Sequence, residues 1–314
     1  MLTRRLGATG LTVSRLGLGT MAWGTRTSPE DARDLLTTFR DAGGTLLDTA
    51  HGYAGGVAED LLGDLLEGPD RDDVVLVTKS GISRASGERV VDCSRRTMLH
   101  QLDLSLRRMR TDHVDVWLAH TWDADTPLEE TVSALVHAWE SGRARYVGVS
   151  NHVGWQAART MSLLQSAGVP LAANSVEYSL VERRPERELV DAATSLGFGL
   201  LPWSPLGRGV LAGRYRGGIA ADSRLASEEF SRFAGRHVGD HTRGVVEALR
   251  TAAEGLGVPQ AVVALAWVRD RPGVTAPVVG ARTTQQLSTL LQSEEVELPA
   301  QIVEALDEVS ADHT

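Results

Sequence analysis

Short apolar runs alternate with longer amphipathic segments along most of the chain. The short runs are typical of buried strands, and the segments between them have the apolar spacing of helices. Strand candidates lie at residues 16–19, 45–47, 74–78, 114–119, 146–149, 171–173, 199–201 and 277–279. Eight strands that alternate regularly with helices predict an α/β fold, namely a (β/α)8 or TIM barrel.

Two further segments complete the predicted architecture. Residues 4–14, with a turn at Thr9-Gly10, predict an N-terminal β-hairpin. The one long gap, residues 203–277, begins with a polar, glycine-containing stretch and continues with helical patterns near 243–254 and 260–268. We expect a long loop and helix insertion after strand 7 that acts as a lid or binding loop. No linker rich in Pro, Gly or Ser divides the chain, which predicts a single domain over residues 1–314.

The helix starts help to exclude one alternative fold. Gly17, Gly19 and Ala22 match the dinucleotide fingerprint G-x-G-x-x-A, which requires a helix to begin at once. The first good start comes only at Ser28-Pro29-Glu30-Asp31, with Ser28 as N-cap. A Rossmann domain is therefore disfavoured. Thr126-Pro127-Leu128-Glu129 predicts a capping box at the start of a later helix.

Composition limits the class of partner. Hydrophobic residues make up 42% and charged residues 23%, no run is as long as the ~18 apolar residues of a membrane span, and the N-terminus lacks a signal-peptide core. We expect a cytoplasmic protein without a membrane partner. A net charge of −9 argues against a nucleic-acid partner, and the single Cys93 cannot form an internal disulfide.

Titratable side chains lie at or just beyond the ends of three predicted strands. Asp48, Lys79 and His120 end strands, and Tyr53 follows Asp48 by five residues in a glycine-rich segment. Each residue alone is more often structural, as a cap, a loop anchor or a hydrogen-bonded strand end. Because a parallel barrel gathers the carboxyl ends of its strands at one mouth, we expect the four side chains to converge there.

Over nearly its whole length the chain resembles the aldo-keto reductases, and within them the bacterial branch that also resembles the β subunits of voltage-gated potassium channels. The resemblance is carried by seven ordered blocks, at residues 5–21, 48–53, 78–79, 120, 148–151, 203–206 and 280–283. It implies reduction of a small-molecule aldehyde or ketone to an alcohol, with NADPH as the cofactor. The substrate's identity, the physiological direction and the oligomeric state do not follow from it.

The resemblance also assigns the catalytic roles. Carbonyl reduction needs a hydride from a cofactor and a separate proton source. Tyr53 is the expected proton donor, and Lys79 is expected to lower its pKa, which is ordinarily ~10. Asp48 is expected to pair with Lys79, because a buried ammonium without a partner is costly. His120, uncharged, is expected to orient the carbonyl oxygen.

Cofactor contacts are likewise implied by matching positions. Ser150, Asn151 and Ser175 match the carboxamide site, Trp203 matches the aromatic that stacks on the nicotinamide, and Arg214 and Arg224 match the 2′-phosphate site. Gln286 matches an adenine contact. The remaining expected cofactor contacts are Gly19, Thr20, Met21, Ser204, Pro205, Leu206, Gly209, Gly280 and Arg282. Ser175 replaces the usual glutamine and Thr289-Leu290 replaces Glu-Asn, and both departures bear on cofactor affinity rather than on the chemistry.

Seven tryptophans against four phenylalanines is an unusual ratio. Trp117, Trp139 and Trp267 fall within predicted helices and strands and are expected in the core. Trp23, Trp122 and Trp155 lie on or just beyond the strand-end loops. These three either line an aromatic substrate pocket or pack beneath the loops.

Two other functions remain open from the sequence. The first is an NADPH-binding regulatory subunit with little turnover, like the channel β subunits. The second is a metal-dependent barrel hydrolase that uses Asp48 and His120, although further His or acidic ligands at the strand ends are lacking.

Overall fold

The computed structural model describes residues 1–66, 68–84, 87–213 and 240–311. Eight parallel strands form a closed barrel, in which each strand pairs with the next along the chain and the last pairs with the first. The (β/α)8 prediction is confirmed. The described strands are β1 (Thr3–Arg5), β2 (Thr12–Ser14), β3 (Gly17–Gly19), β4 (Leu46–Asp48), β5 (Val75–Ser80), β6 (Ile82–Ser83), β7 (Val90–Val91), β8 (Val114–Ala119), β9 (Ala144–Ser150), β10 (Leu171–Glu177), β11 (Gly199–Trp203) and β12 (Val278–Val279).

Two antiparallel hairpins lie outside the barrel. The first, β1 with β2, closes one end of the barrel, because Leu6 and Val13 pack with interior residues of the strands. Gly7, with φ +57°, approaches the Gly197 carbonyl so closely that a Cβ would lie 2.5 Å from its oxygen. This contact requires glycine. The second hairpin, β6 with β7, follows β5.

Helices surround the barrel, and most of them bury one face. They are Pro29–Asp41, Val57–Leu65, Arg95–Arg108, Leu128–Glu140, Gly154–Ser166, Leu189–Leu196, Asp240–Leu256, Gln260–Arg269, Thr284–Leu291 and Ala300–Val309. The first begins as predicted, with Ser28 accepting a hydrogen bond from the Asp31 amide and Pro29 in the first turn. Because residues 21–27 form turns and a bridge, no helix opens after the glycine fingerprint.

Two local predictions were wrong. Thr126 does not cap the helix Leu128–Glu140; its hydroxyl donates to Asp123 instead, 2.7 Å away, and Pro127 takes the cap position without a side-chain bond. Trp139 is not a core residue, since it is 37% exposed, whereas Trp117 and Trp267 are buried.

The described residues contain no single helix that is long and apolar enough to cross a membrane. Only the pair Thr242–Leu256 and Gln260–Arg269, bent by 101° between them, meets the length and composition of a span. Most of Gln260–Arg269 is buried inside the protein, as expected of a core helix.

Strand alternation decides which side chains enter the barrel. Ten buried residues, among them Leu46, Val77, Leu118 and Leu201, form an inner cluster, whereas their strand neighbours Leu47 and Leu76 pack outward against the helices. Successive strand residues point to opposite faces. The residues two positions after Leu46, Val77, Leu118 and Leu201 therefore lie on the same, inner face as these four.

Candidate active site

The strand alternation gathers polar side chains at the carboxyl end of the barrel. Asp48, Lys79 and His120 each follow a residue of the inner cluster by two positions, at the ends of three adjacent strands. Ser175 and Trp203 stand in the same relation to Ala173 and Leu201. Polar groups from successive strands thus face one another at one mouth, as the sequence predicted.

Lys79 and Asp48 form a buried ion pair. The Lys79 Nζ lies 2.6 Å from the Asp48 Oδ1 and also donates to the Thr49 carbonyl at 2.9 Å. The two side chains are only 3% and 6% exposed. Burial acts to lower the pKa of Lys79, but the Asp48 carboxylate and the Tyr53 hydroxyl together outweigh it and raise that pKa above 10.5. The ammonium therefore remains charged at neutral pH.

Tyr53 stands directly beside this pair. The Lys79 Nζ lies 5.4 Å from the centre of the Tyr53 ring. Burial raises the pKa of the phenol, and Asp48 raises it further, whereas Lys79 lowers it. Lys79 thus acts on the phenol in the expected direction, but burial outweighs it and the net shift of the Tyr53 pKa is upward. Tyr53 is consequently protonated, and can donate a proton, throughout the neutral range.

His120 completes the group on the other side of Tyr53. The two ring centres are 6.0 Å apart at an interplanar angle of 75°, and both side chains are partly exposed. Burial, with the nearby Lys79, Arg89 and Arg84 charges, holds the pKa of His120 well below 6.5. The imidazole is therefore neutral. Within the described part of the chain its Nδ1 has no hydrogen-bond partner.

Ser150, Asn151 and Ser175 lie together at the ends of β9 and β10. The Asn151 amide nitrogen donates to the His120 carbonyl at 2.9 Å and to the Ser150 Oγ at 3.0 Å, and its oxygen accepts from the Trp203 indole at 3.1 Å. Asn151 therefore uses its amide to join these groups. The buried Ser175 Oγ, by contrast, has no hydrogen-bond partner among the described residues.

A turn with strained backbone follows Trp203. Ser204 has φ +52° and Arg208 has φ +60°, the left-handed region that non-glycine residues rarely adopt, and Gly209 has φ +101°. Pro205 is buried and Leu206 partly exposed in the same turn. Such strain is retained where surrounding contacts hold the chain, often at ligand sites.

An ion pair that the sequence did not predict underlies this turn. Arg208 is 4% exposed, lies 2.7 Å from Glu177 at the end of β10, and places its guanidinium 5.7 Å from the Trp203 ring centre. One signal was visible: an acidic residue ends a buried strand at Glu177, as at Asp48. Its partner could not be deduced, because thirty residues separate the two along the chain.

The remaining predicted cofactor residues lie at two other strand ends. Gly19 ends β3, Thr20 is buried with its hydroxyl donating to the Asp48 carbonyl at 3.2 Å, and Met21 is exposed. Gly280 follows β12, and the Gln286 side chain accepts from the Arg282 amide at 3.1 Å. Arg214 and Arg224 lie outside the described residues.

The three loop tryptophans separate into two groups. Trp23 has no exposed surface and packs in the core, so its burial favours packing beneath the loop over a pocket wall. Trp122 lies 5.2 Å from Trp155 and 5.4 Å from His152, ring centre to ring centre, with edge contacts. Trp155 is 55% exposed, so this pair presents an aromatic surface.

The described residues contain no candidate metal site. No three His, Cys, Asp or Glu side chains come together there in the manner of a metal site. Asp48, the acid that a hydrolase would use, is instead paired with the Lys79 ammonium.

Comparison with known proteins agrees with this geometry. A sequence profile of the aldo/keto reductase family matches residues 15–311. The chain is 35% identical to a probable voltage-gated potassium channel subunit beta of Oryza sativa subsp. japonica, over 98% of this chain and 95% of that protein.

Two bacterial relatives are of similar closeness. The chain is 33% identical to an uncharacterized oxidoreductase, YrpG, of Bacillus subtilis (strain 168), over 97% of this chain and 94% of that protein. It is 32% identical to L-glyceraldehyde 3-phosphate reductase of Escherichia coli (strain K12), over 92% and 86%. The barrel, its polar mouth and these matches establish that the chain belongs to the aldo/keto reductase family of oxidoreductases.

Proposed function

We propose that residues 1–314 act as one catalytic domain that reduces an aldehyde or ketone to an alcohol with NADPH. The observation that carries the proposal is the convergence of Tyr53, His120 and the Lys79–Asp48 ion pair at one mouth of the barrel. A proton donor, a neutral hydrogen-bonding group and a fixed positive charge are what carbonyl reduction requires of a protein.

Each of these groups has a defined task in the proposal. Tyr53, protonated at neutral pH, gives its proton to the developing alkoxide. Lys79 stabilises the phenolate that remains, and Asp48 keeps the ammonium charged and in place. His120, neutral, hydrogen-bonds the carbonyl oxygen and orients it towards Tyr53.

The residues around Trp203 fit a nicotinamide cofactor, which when bound supplies the hydride. The partly exposed Trp203 ring, fixed by its bond to Asn151, offers a stacking surface. The Ser175 Oγ, without a partner in the part of the chain that the structure describes, is proposed to hydrogen-bond the carboxamide. Ser150 lies beside it and donates to the Ser175 carbonyl at 3.0 Å. Gly19, Thr20 and Met21 border the same mouth from β3.

The adenosine end of the cofactor is assigned to two segments. The turn Ser204 to Gly209 and the segment Gly280 to Gln286 follow neighbouring strands, β11 and β12. Arg214 and Arg224 are proposed to hold the 2′-phosphate, since guanidinium groups make charge-assisted, often bidentate bonds to phosphate. On this basis NADPH is preferred over NADH.

A second candidate function is supported by the identity to the rice potassium channel subunit. In that case the barrel binds NADPH as a sensor, and the output is a contact with another protein. The two functions differ in turnover: an enzyme consumes many equivalents of NADPH with a simple aldehyde, whereas a sensor binds the cofactor and turns over negligibly.

A carbonyl panel separates the two functions. Short aldehydes, L-glyceraldehyde 3-phosphate, quinones, sugars and steroid ketones are assayed by loss of NADPH absorbance, with NADH in parallel. We expect multiple turnovers with at least one aldehyde or ketone, and a preference for NADPH. Tight NADPH binding with less than one turnover for every compound would contradict the enzymatic function and favour the sensor function.

A further inference from the structure

The backbone that carries Tyr53 is strained on its carboxyl side. Tyr53 begins a 3-10 turn, Tyr53–Gly56, in which Ala54 has φ +50°, Gly55 has φ +67° and Gly56 has φ +109°. An alanine rarely adopts the left-handed region, because its Cβ approaches the carbonyl oxygen too closely there. A phenol on such a segment stays in place only if neighbouring groups hold the segment.

Arg108, the last residue of the helix Arg95–Arg108, supplies that hold. Its Nη1 donates to the His51 carbonyl at 3.1 Å and lies 3.3 Å from the His51 Nδ1. The guanidinium also lies flat against Gly56, where a Cβ would come within 2.3 Å of the Arg108 Cζ. Arg108 therefore contacts the chain on both sides of Tyr53.

Glu59 fixes the position of Arg108. Its side chain has no exposed surface, and its two oxygens have different partners: Oε2 accepts from the Arg108 Nη1 at 3.2 Å, and Oε1 accepts from the Thr78 hydroxyl at 2.7 Å. Thr78 precedes Lys79 on β5 and points to the opposite side of the strand. The Tyr53 segment and the strand that carries Lys79 are thus joined through Glu59.

We propose that Arg108 is a positioning residue, anchored by Glu59, that holds the Tyr53 phenol in register with Lys79 and His120. The inference rests on the proposed function, because it assigns a task to Arg108 only if Tyr53 donates the proton. A methionine at position 108 occupies much of the same space, but it has no N–H groups and so bonds neither His51 nor Glu59. Since a misplacement of about 1 Å can cost about 10²-fold in rate, the loss of these bonds acts on catalysis.

The test compares Arg108→Met with Arg107→Met, a control at the neighbouring, exposed position of the same helix. Steady-state kcat and KM are measured with an aldehyde from the panel, and NADPH affinity by tryptophan fluorescence. We expect Arg108→Met to lower kcat by roughly 10- to 100-fold, with little change in NADPH affinity. Arg107→Met should match wild type, and Arg108→Lys, which keeps the charge but not the planar fork, should fall between.

A double-mutant cycle with Tyr53→Phe gives the decisive readout. If Arg108 acts through the Tyr53 hydroxyl, Arg108→Met changes the residual rate of the Tyr53→Phe enzyme by less than ~2-fold. An equal loss of kcat on adding Arg108→Met to wild type and to Tyr53→Phe would overturn the inference. An unchanged kcat in Arg108→Met, with Tyr53→Phe inactive, would also overturn it but would leave the proposed function intact. Full activity in Tyr53→Phe would instead remove the proposed function. If Arg108→Met does not fold, Arg108→Lys takes its place in the cycle.

Discussion

Asp48→Asn tests the ion pair at the base of the proposed site. The substitution keeps the size of the side chain but removes the charge that faces the Lys79 ammonium at 2.6 Å. Because both side chains are almost completely buried, water cannot replace the lost partner. Breaking a buried pair in this way typically costs 3–5 kcal/mol. Lys79 keeps its bond to the Thr49 carbonyl, so we expect a value of about 3 kcal/mol.

This energy converts into a measurable change in melting temperature. At ~2.1 cal/mol/K of unfolding entropy per residue, a chain of 314 residues loses about 1.5 °C for each kcal/mol, so Asp48→Asn should melt roughly 5 °C lower. The raised pKa of Lys79 means that the ammonium's contribution is fully present below pH 10.5 and is lost only as the pH rises through the folded-state value.

The double variant Asp48→Asn/Lys79→Met provides the internal control. Removing both charges leaves no unpaired ammonium, so the double variant should melt above Asp48→Asn. Thermal unfolding followed by circular dichroism measures wild type, Asp48→Asn, Lys79→Met and the double variant. An unchanged melting temperature in Asp48→Asn, or strictly additive losses in the double variant, would show that the pair does not interact as described.

Three further predictions concern the surroundings of the site. Glu177→Gln should remove the carboxylate that faces the buried Arg208, lower the free energy of unfolding by about 3 kcal/mol and alter Trp203 fluorescence. A melting temperature equal to that of wild type would refute the interaction between Glu177 and Arg208. His152 is 2% exposed, and burial lowers its pKa to about 4. The free energy of unfolding that depends on neutral His152, about 3 kcal/mol, should therefore be lost as pH falls from 6.5 to 4. If the melting temperature of His152→Asn depends on pH in the same way as that of wild type, this prediction is wrong. Arg224→Ala and Arg214→Ala should each weaken NADPH binding by roughly 10- to 100-fold and NADH binding hardly at all; equal losses for both cofactors would remove these residues from the 2′-phosphate site.

Much of this site could be predicted because it depends on local pattern. An apolar run that ends in a polar residue at Asp48, Lys79 and His120 marks both a strand and its carboxyl end. In a parallel barrel, the topology then brings such ends together. The same reasoning located the N-terminal hairpin and the helix start at Ser28.

The remainder depends on contacts between residues distant in sequence, which no local pattern records. Arg208 reaches Glu177, and Arg108 reaches His51 and Glu59, only because strands and helices adjacent in space bring them together. The exposure of Trp139 likewise depends on how its helix is rotated against its neighbours. The net shift of the Tyr53 pKa depends on burial, which in this structure outweighs the charge of Lys79.

The central claim is that Tyr53 donates the proton in carbonyl reduction. The most direct measurement is kcat for aldehyde reduction at saturating NADPH in wild type, in Tyr53→Phe and in Tyr146→Phe, a control whose tyrosine packs against the inner cluster. The account predicts that Tyr53→Phe lowers kcat by ~10²-fold or more with nearly unchanged NADPH affinity, and that Tyr146→Phe retains wild-type kcat. A Tyr53→Phe enzyme with kcat close to that of wild type would contradict it.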